Sequence, residues 1–339
     1  MTILNLIDNI NYFDNKVILI TGGTGTLGNA LTDFFLNKTN VNKIIIFSRD
    51  EYKQHIMKNK FKTYFSKHKI QFFIGDIRDN DRTKFAMKGV DIVFHAAALK
   101  QVDSIEFNPM EAIKTNILGT ESIIEACIHN NVKQLVGIST DKSVCPVNLY
   151  GATKICLEKL IIAGYEYSNT NLKTCVLRYG NVIGSRGSVV PIFKKQSQDG
   201  IFTVTDKRMT RFTLTINEAC NFILNCSIIS NGGEIFVPKL PTYTINQLCN
   251  VINSNCKINE IGIRPGEKLH EFMISEAESL LAWESKDFYI IESNISPIYK
   301  LNPTLIEKFK LIKSDKIFSY SSENAMNISD EGLLQQINL

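Results

Sequence analysis

No two of the eight cysteines, at 127, 145, 156, 175, 220, 226, 249 and 256, are spaced CxxC. A zinc ribbon or a redox dithiol therefore lacks ligands at the required spacing. Several of these cysteines lie in apolar stretches, so reduced and mostly buried thiols are expected, and no metal. No apolar run approaches the ~20 residues that span a bilayer. The first residues, MTILNLIDNINYFDNK, lack a basic start, an unbroken apolar core and a small-residue cleavage site. A secretory leader is not expected, and a cytoplasmic location is. A strong charge of either sign is missing too: 38 Lys and Arg against 34 Asp and Glu give +4. That surplus is too small to argue for nucleic acid, so any basic groups that matter must be local. What is present is ordinary for a folded protein, with 44% apolar and 21% charged residues, and this excludes disorder for most of the chain. The 339 residues call for one large or two joined domains.

The first half alternates short apolar strands with amphipathic helices. Strands are expected at 17–21, 43–47, 71–74, 91–95, 134–138 and 174–178. Helices are expected at 27–36, from about 50, near 82–87, and at 110–129 and 150–165. This rhythm implies βαβ units and a parallel sheet buried on both faces, an α/β doubly wound architecture. After Asn181 the rhythm changes, with Gly184, Gly187 and Pro191 marking loops. A smaller mixed α/β unit is expected there. The expected division is 1–180 for the first domain, with 206–232 returning to it, and 181–205 plus 233–339 for the second. Residues past about Ser314 look loosely patterned.

Gly22, Gly25 and Gly28 follow the first strand directly and open a helix. A tight turn and close approach to a pyrophosphate both require residues without Cβ, and the helix N-terminus offers free N–H groups. Strand, turn and helix in this order point to a dinucleotide, the Rossmann arrangement. At the end of the next strand, where an NAD enzyme usually has Asp or Glu, the chain has Ser48 and then Arg49. A guanidinium can pair with a 2′-phosphate, which points to NADP. The alternative leaves Arg49 in solvent and gives the ribose to Asp50. Asp76 is placed to accept from the adenine amino group, and Ala96-Ala97-Ala98 allow close approach of the cofactor.

Tyr150 and Lys154 stand four apart, on one face of a helix. A phenol with a pKa near 10 needs a neighbouring ammonium to act as a base. Such a pair can take a hydroxyl proton while hydride leaves for a nicotinamide. Just upstream, Ser139-Thr140-Asp141-Lys142 begins where the fifth strand ends. It places an acid and a base side by side; an ordinary polar loop is the competing reading. His95, inside an apolar strand, reads as a packed core residue. His270 stands undecided.

Together TGGTGTLG, FSRDE, GDIRD, HAAALKQV, STDKSVCPVNLYGATK, RYGNVIGSRGSVVP, RMTRF and IRPGEKLHE resemble the extended short-chain dehydrogenase/reductases. More closely, the chain is similar to the inverting UDP-N-acetylglucosamine 4,6-dehydratases, which begin pseudaminic acid synthesis. The most specific element is Thr140-Asp141-Lys142 followed by Tyr150. Retaining dehydratases carry Asp-Glu where this chain has Asp-Lys, and a capsule and O-antigen subgroup replaces the Tyr with Met. The tail beyond Asn324 is less typical of the family.

The resemblance implies NADP, UDP-N-acetylglucosamine as the small-molecule substrate, no nucleic-acid or membrane partner, and a homo-oligomer such as a hexamer. It implies Tyr150, assisted by Lys154, as the C4 base, Lys142 as the C5 base, Asp141 as the acid at the C6 hydroxyl, and Thr140 on the 4-oxygen. The cofactor would be held by Gly22, Thr24, Gly25, Thr26, Leu27, Gly28, Ser48, Arg49, Asp50, Glu51, Lys53, Asp76, Ile77, Ala97, Lys100, Tyr150, Lys154 and Val182. The substrate would meet Ala96, Asn181, Arg186, Val189, Thr205, Arg211, Arg264 and Glu267. Arg211 and Arg264 are expected at the pyrophosphate and Glu267 at a ribose hydroxyl. The alternatives are a retaining dehydratase, a UDP-sugar 4-epimerase, or a non-catalytic NADP-binding regulator.

Overall fold

The computed structural model describes residues 4–5, 9–169, 171–185, 188–293 and 301–338. Its first six strands are β1 (Val17–Thr21), β2 (Lys43–Ser48), β3 (Ile70–Ile74), β4 (Ile92–His95), β5 (Gln134–Ile138) and β6 (Lys173–Leu177). They run parallel in the order β6-β5-β4-β1-β2-β3. Runs such as Ile44–Phe47 and Val93–Phe94 are buried because helices cover both faces of the sheet. β3 forms the edge, and its Ile74 is exposed.

Three of the crossover helices begin where a polar side chain takes up a free N–H group. Asp50 caps Glu51–Lys60, Asp79 caps Asn80–Ala86 and Asn148 caps Leu149–Tyr167. The stretch expected as one helix at 110–129 is divided. Pro109–Ala112 and Gly119–His129 are α-helical, and Ile113–Leu118 between them forms π turns. Asn116 on those turns is fully buried. Its side chain accepts from Leu99 N and donates to Leu99 O and to Thr153 Oγ1. The widened turn thus ties the loop after β4 to the helix that carries Tyr150.

Helix Ile216–Ile229 returns to pack on Thr26–Lys38. Glu234–Pro238 then pairs parallel with β6, and Phe288–Ile291, Ala282–Glu284 and Ile312–Lys313 continue antiparallel to complete a ten-stranded sheet. Segments that the sequence reading assigns to the second unit therefore extend the large sheet. A smaller core gathers Phe202, Met209, Tyr243, Leu248 and Leu333. The C-terminal residues are better ordered than their pattern suggests. Helix Asp330–Asn338 buries Leu333 and Ile337 in that core, and Thr213 donates to Gln336. Only two anchoring side chains one turn apart made this helix hard to read. Among the described residues, no helix is long and apolar enough to cross a membrane.

Candidate active site

A cleft of about 640 Å³ opens at the carboxyl ends of the parallel strands. One end is the glycine turn after β1. Gly22 adopts φ +63°, and a Cβ there would stand 2.9 Å from Ala97 Cα. Only glycine lets this turn and the Ala96–Ala98 loop approach each other. Gly28 has no room for a Cβ against Gly23. Helix Thr26–Lys38 begins with no side-chain cap, so its first N–H groups are left for an anion. This cradle fits a dinucleotide pyrophosphate.

Ser48, Arg49, Asp50, Lys53, Asp76 and Ile77 line the far end of the cleft. Arg49 Nη1 is 3.4 Å from Asp76 Oδ2, and Arg78 also pairs with Asp76 at 2.7 Å. The Asp50 carboxylate accepts from Lys53 N at 2.9 Å and pairs with Lys53 Nζ at 2.6 Å. Asp50 therefore serves as a cap, while the Arg49 side chain is half exposed and held only by its long contact with Asp76. Glu51 lies exposed in the first turn of the same helix and is not part of the cleft wall.

The other end holds the acid–base groups. Thr140, Lys142, Tyr150 and Lys154 line it together with Asn181 and Val182. Thr140 caps the 3₁₀ turn Asp141–Ser143. Asp141 is fully buried; its Oδ1 accepts from Thr140 Oγ1 at 2.9 Å and from Lys142 Nζ at 3.0 Å. Lys142 Nζ also donates to Asn181 Oδ1 at 3.2 Å and lies 3.4 Å from Glu271 Oε1. Burial pushes the Asp141 carboxyl up, more than Lys142 pulls it down. Burial alone would lower Lys142, but the carboxylates of Asp141 and Glu271 outweigh it and hold its ammonium above the ordinary range. The Tyr150 phenol is pushed up to about 12, mainly by burial, with Lys142 pulling the other way. Burial brings Lys154 down to about 8, and Glu158 partly opposes it. Lys154 donates to Ile138 O at the end of β5.

A buried brace lies beneath these groups. Arg178 pairs with Glu158 and Glu278, each at 2.6 Å. Glu158 Oε1 also accepts from Ser139 Oγ and Ser143 Oγ. One carboxylate therefore ties the turn bearing Asp141 and Lys142 to the helix bearing Tyr150 and Lys154.

Ala96 lines the cleft, as do Ala97, Lys100, Thr24 and Leu27. Val189 and Thr205 are not part of its wall: Val189 opens the helix Val189–Gln196, and Thr205 Oγ1 donates to Met209 Sδ. Arg211 is tied to the carbonyls of Thr210, Lys268 and Leu269 and lies 3.9 Å from Glu271. Arg264 and Glu267 pair with each other, and Arg264 is exposed. Arg186 lies outside the described residues. His95 is buried, bonded to Thr21 and Thr120, and held neutral by burial with its pKa lowered to about 3. It is the core residue its strand position suggests. His270 bonds Thr210 through Nδ1.

Glu271 and the Glu158–Arg178 pair escaped the sequence reading. Arg178, a charge at the end of an apolar strand, was a usable signal. Glu271 closes the RPGEKLHE motif, but nothing local distinguishes it from its polar neighbours.

An open, mostly parallel sheet with a glycine turn and a Tyr–Lys pair at its carboxyl edge defines an extended short-chain dehydrogenase/reductase. Residues 18–293 match the family model described as polysaccharide biosynthesis protein, and the chain belongs to that family. It is 46% identical over 334 residues to the UDP-N-acetylglucosamine 4,6-dehydratase (inverting) of Campylobacter jejuni subsp. jejuni serotype O:2, covering 96% of this chain and 98% of that one. It is 43% identical over 288 residues to a UDP-glucose 4-epimerase of Rickettsia rickettsii, covering 82% and 83%. Among solved structures, Pen from Bacillus thuringiensis superposes with a TM-score of 0.85 at 38% identity, over 96% of this chain and 98% of that one. DesIV, a dTDP-glucose 4,6-dehydratase of Streptomyces venezuelae, shares the fold at 18% identity and a TM-score of 0.69, over 95% and 96%.

Proposed function

We propose that the chain is an inverting UDP-N-acetylglucosamine 4,6-dehydratase that uses NADP and releases UDP-2-acetamido-2,6-dideoxy-β-L-arabino-hex-4-ulose. The observation that carries this reading is the contact of Lys142 Nζ with Asp141 Oδ1 at 3.0 Å, in the cleft that also holds Tyr150 and Lys154. A 4-epimerase needs only the Tyr–Lys pair. A dehydratase needs in addition a base for C5 and an acid for the leaving hydroxyl. The near full-length likeness to the Campylobacter dehydratase supports the same reading.

The glycine cradle would hold the NADP pyrophosphate, and Arg49 its 2′-phosphate. When bound, NADP would supply a reversible hydride acceptor for the chemistry at C4 and C6. The Tyr150 phenolate, a minor form that the Lys142 cation favours against burial, accepts the C4 hydroxyl proton as hydride leaves, and Thr140 holds the 4-oxygen. The resulting ketone acidifies the C5 proton. Lys142 and Asp141 then act together. A shift of one proton across their 3.0 Å contact leaves a neutral amine and a carboxylic acid. The carboxylates of Asp141 and Glu271 hold Lys142 as the ammonium at rest, so the neutral amine is the minor form through which the step passes. The amine takes the C5 proton, and Asp141 protonates the C6 hydroxyl, which leaves as water. A proton delivered to the other face of C5, from Tyr150 or Lys142, inverts the centre.

Replacing Lys142 tests this assignment. Lys142→Ala should abolish water loss while NADP still binds, as followed by cofactor fluorescence and product NMR. Wild-type turnover in that variant would refute the role.

A further inference from the structure

We propose that Glu271 is a positioning residue for the dehydration step, holding the Lys142 ammonium against Asp141 and balancing the buried cations around it. The inference rests on the dehydratase reading, in which Lys142 must both take and give a proton. Glu271 comes from the far half of the chain and is buried. Its backbone is already fixed, since its N–H donates to Ser322 Oγ and its carbonyl accepts from Ser322 N. Its carboxylate is not consumed by that pairing. Oε1 lies 3.4 Å from Lys142 Nζ, and Oε2 accepts no hydrogen bond.

Besides Asn181, the charged and titratable groups around Lys142 come from five segments. Asp141 belongs to its own turn, and Tyr150 to the helix that follows. Arg211 comes from strand Thr210–Leu214, Tyr243 from strand Thr242–Thr244, and Lys268 and Glu271 from one short stretch. Three cations, Lys142, Arg211 and Lys268, thus share two carboxylates. Arg211 stays charged at any working pH. With Glu271 neutralised, Asp141 alone would face all three cations, and Lys142, packed among them, would release its proton more readily. Glu271 therefore sets how far the Lys142–Asp141 proton is shared, without touching the sugar.

The test uses the full chain with Glu271→Gln, which preserves shape and removes charge. Competitive acetylation with acetic anhydride reports the free-amine fraction of Lys142 against exposed Lys316 as an internal standard. Relative labelling of Lys142 should rise about fivefold in Glu271→Gln, and the acidic limb of the pH profile of water loss should move to lower pH by the same factor. Glu271→Asp, which withdraws the carboxylate by one methylene, should fall between wild type and Gln, and it serves alone if the Gln variant does not fold. Wild-type labelling in the variant that folds, or a pH limb that stays in place while turnover drops, would overturn the proposal. Acetylation needs neither substrate nor cofactor. A wild-type chain that made no 4-keto-6-deoxy sugar would therefore sink the dehydratase reading alone.

Discussion

Gly151 packs against the carbonyl oxygen of Lys142 with no room for a Cβ between them. The helix that carries Tyr150 and Lys154 thus rests directly on the turn that carries the acid and the base. This contact and the Glu158 brace together set the relative placement of all four groups. Gly151→Ala should separate the two elements, at a cost of about 1–3 kcal/mol for overpacking. Turnover should fall by more than that stability loss explains, because aligned groups lose rate steeply when displaced. Urea unfolding and initial rates on one preparation check this, and a variant with wild-type turnover would contradict it.

Cofactor choice turns on the other end of the cleft. Asp50 is occupied by Lys53, whereas Arg49 is half exposed beside Asp76. Arg49→Ala should weaken NADP by about tenfold or more and leave NAD nearly unchanged. Titration of both cofactors by intrinsic fluorescence reads the difference directly. Equal losses for the two would return Arg49 to the role of a solvated loop residue.

Lys154 makes a pH-dependent prediction. In the unfolded chain it holds its proton to its ordinary value of 10.5, but in the fold, where burial disfavours the charge, only to about 8. Between these values the unfolded state binds more protons, so this group makes stability rise with pH across that window. Below the folded value both states are protonated, and the fold bears the whole cost of a buried ammonium. Lys154→Met removes that cost. Its stability gain over wild type should be greatest near neutral pH and shrink as pH rises through the window. Urea denaturation of both proteins at the two ends of the window measures it, and a gain independent of pH would contradict the account.

The parallel half of the fold was legible because its strands are continuous Val/Ile runs and several of its helices begin at Asp or Asn caps. The glycine turn and the Tyr–Lys pair were legible for a related reason: their spacing is local, and one strand–turn–helix fixes their geometry. The C-terminal half was harder to read. Glu234–Pro238 looks like many short apolar segments, and only its pairing with β6 places it in the large sheet. Glu271 was not legible at all. Its meaning comes from Lys142, far away in sequence, and from the packing of strand Phe272–Ile274 on the turn Asp141–Ser143 that brings the two together. The π turns at Ile113–Leu118 likewise answer to the distant Leu99 loop and Thr153 rather than to local propensity.

The central claim is that Lys142 and Asp141 add water loss and C5 inversion to the oxidation chemistry of Tyr150 and Lys154. The most direct measurement is to incubate the protein with UDP-N-acetylglucosamine and NADP in deuterated water and follow the sugar by NMR. The account predicts a 4-keto-6-deoxy product with deuterium at C5 and inverted C5 geometry, formed without added reductant. A product that keeps its C6 hydroxyl would contradict dehydration, and a retained C5 configuration would contradict inversion.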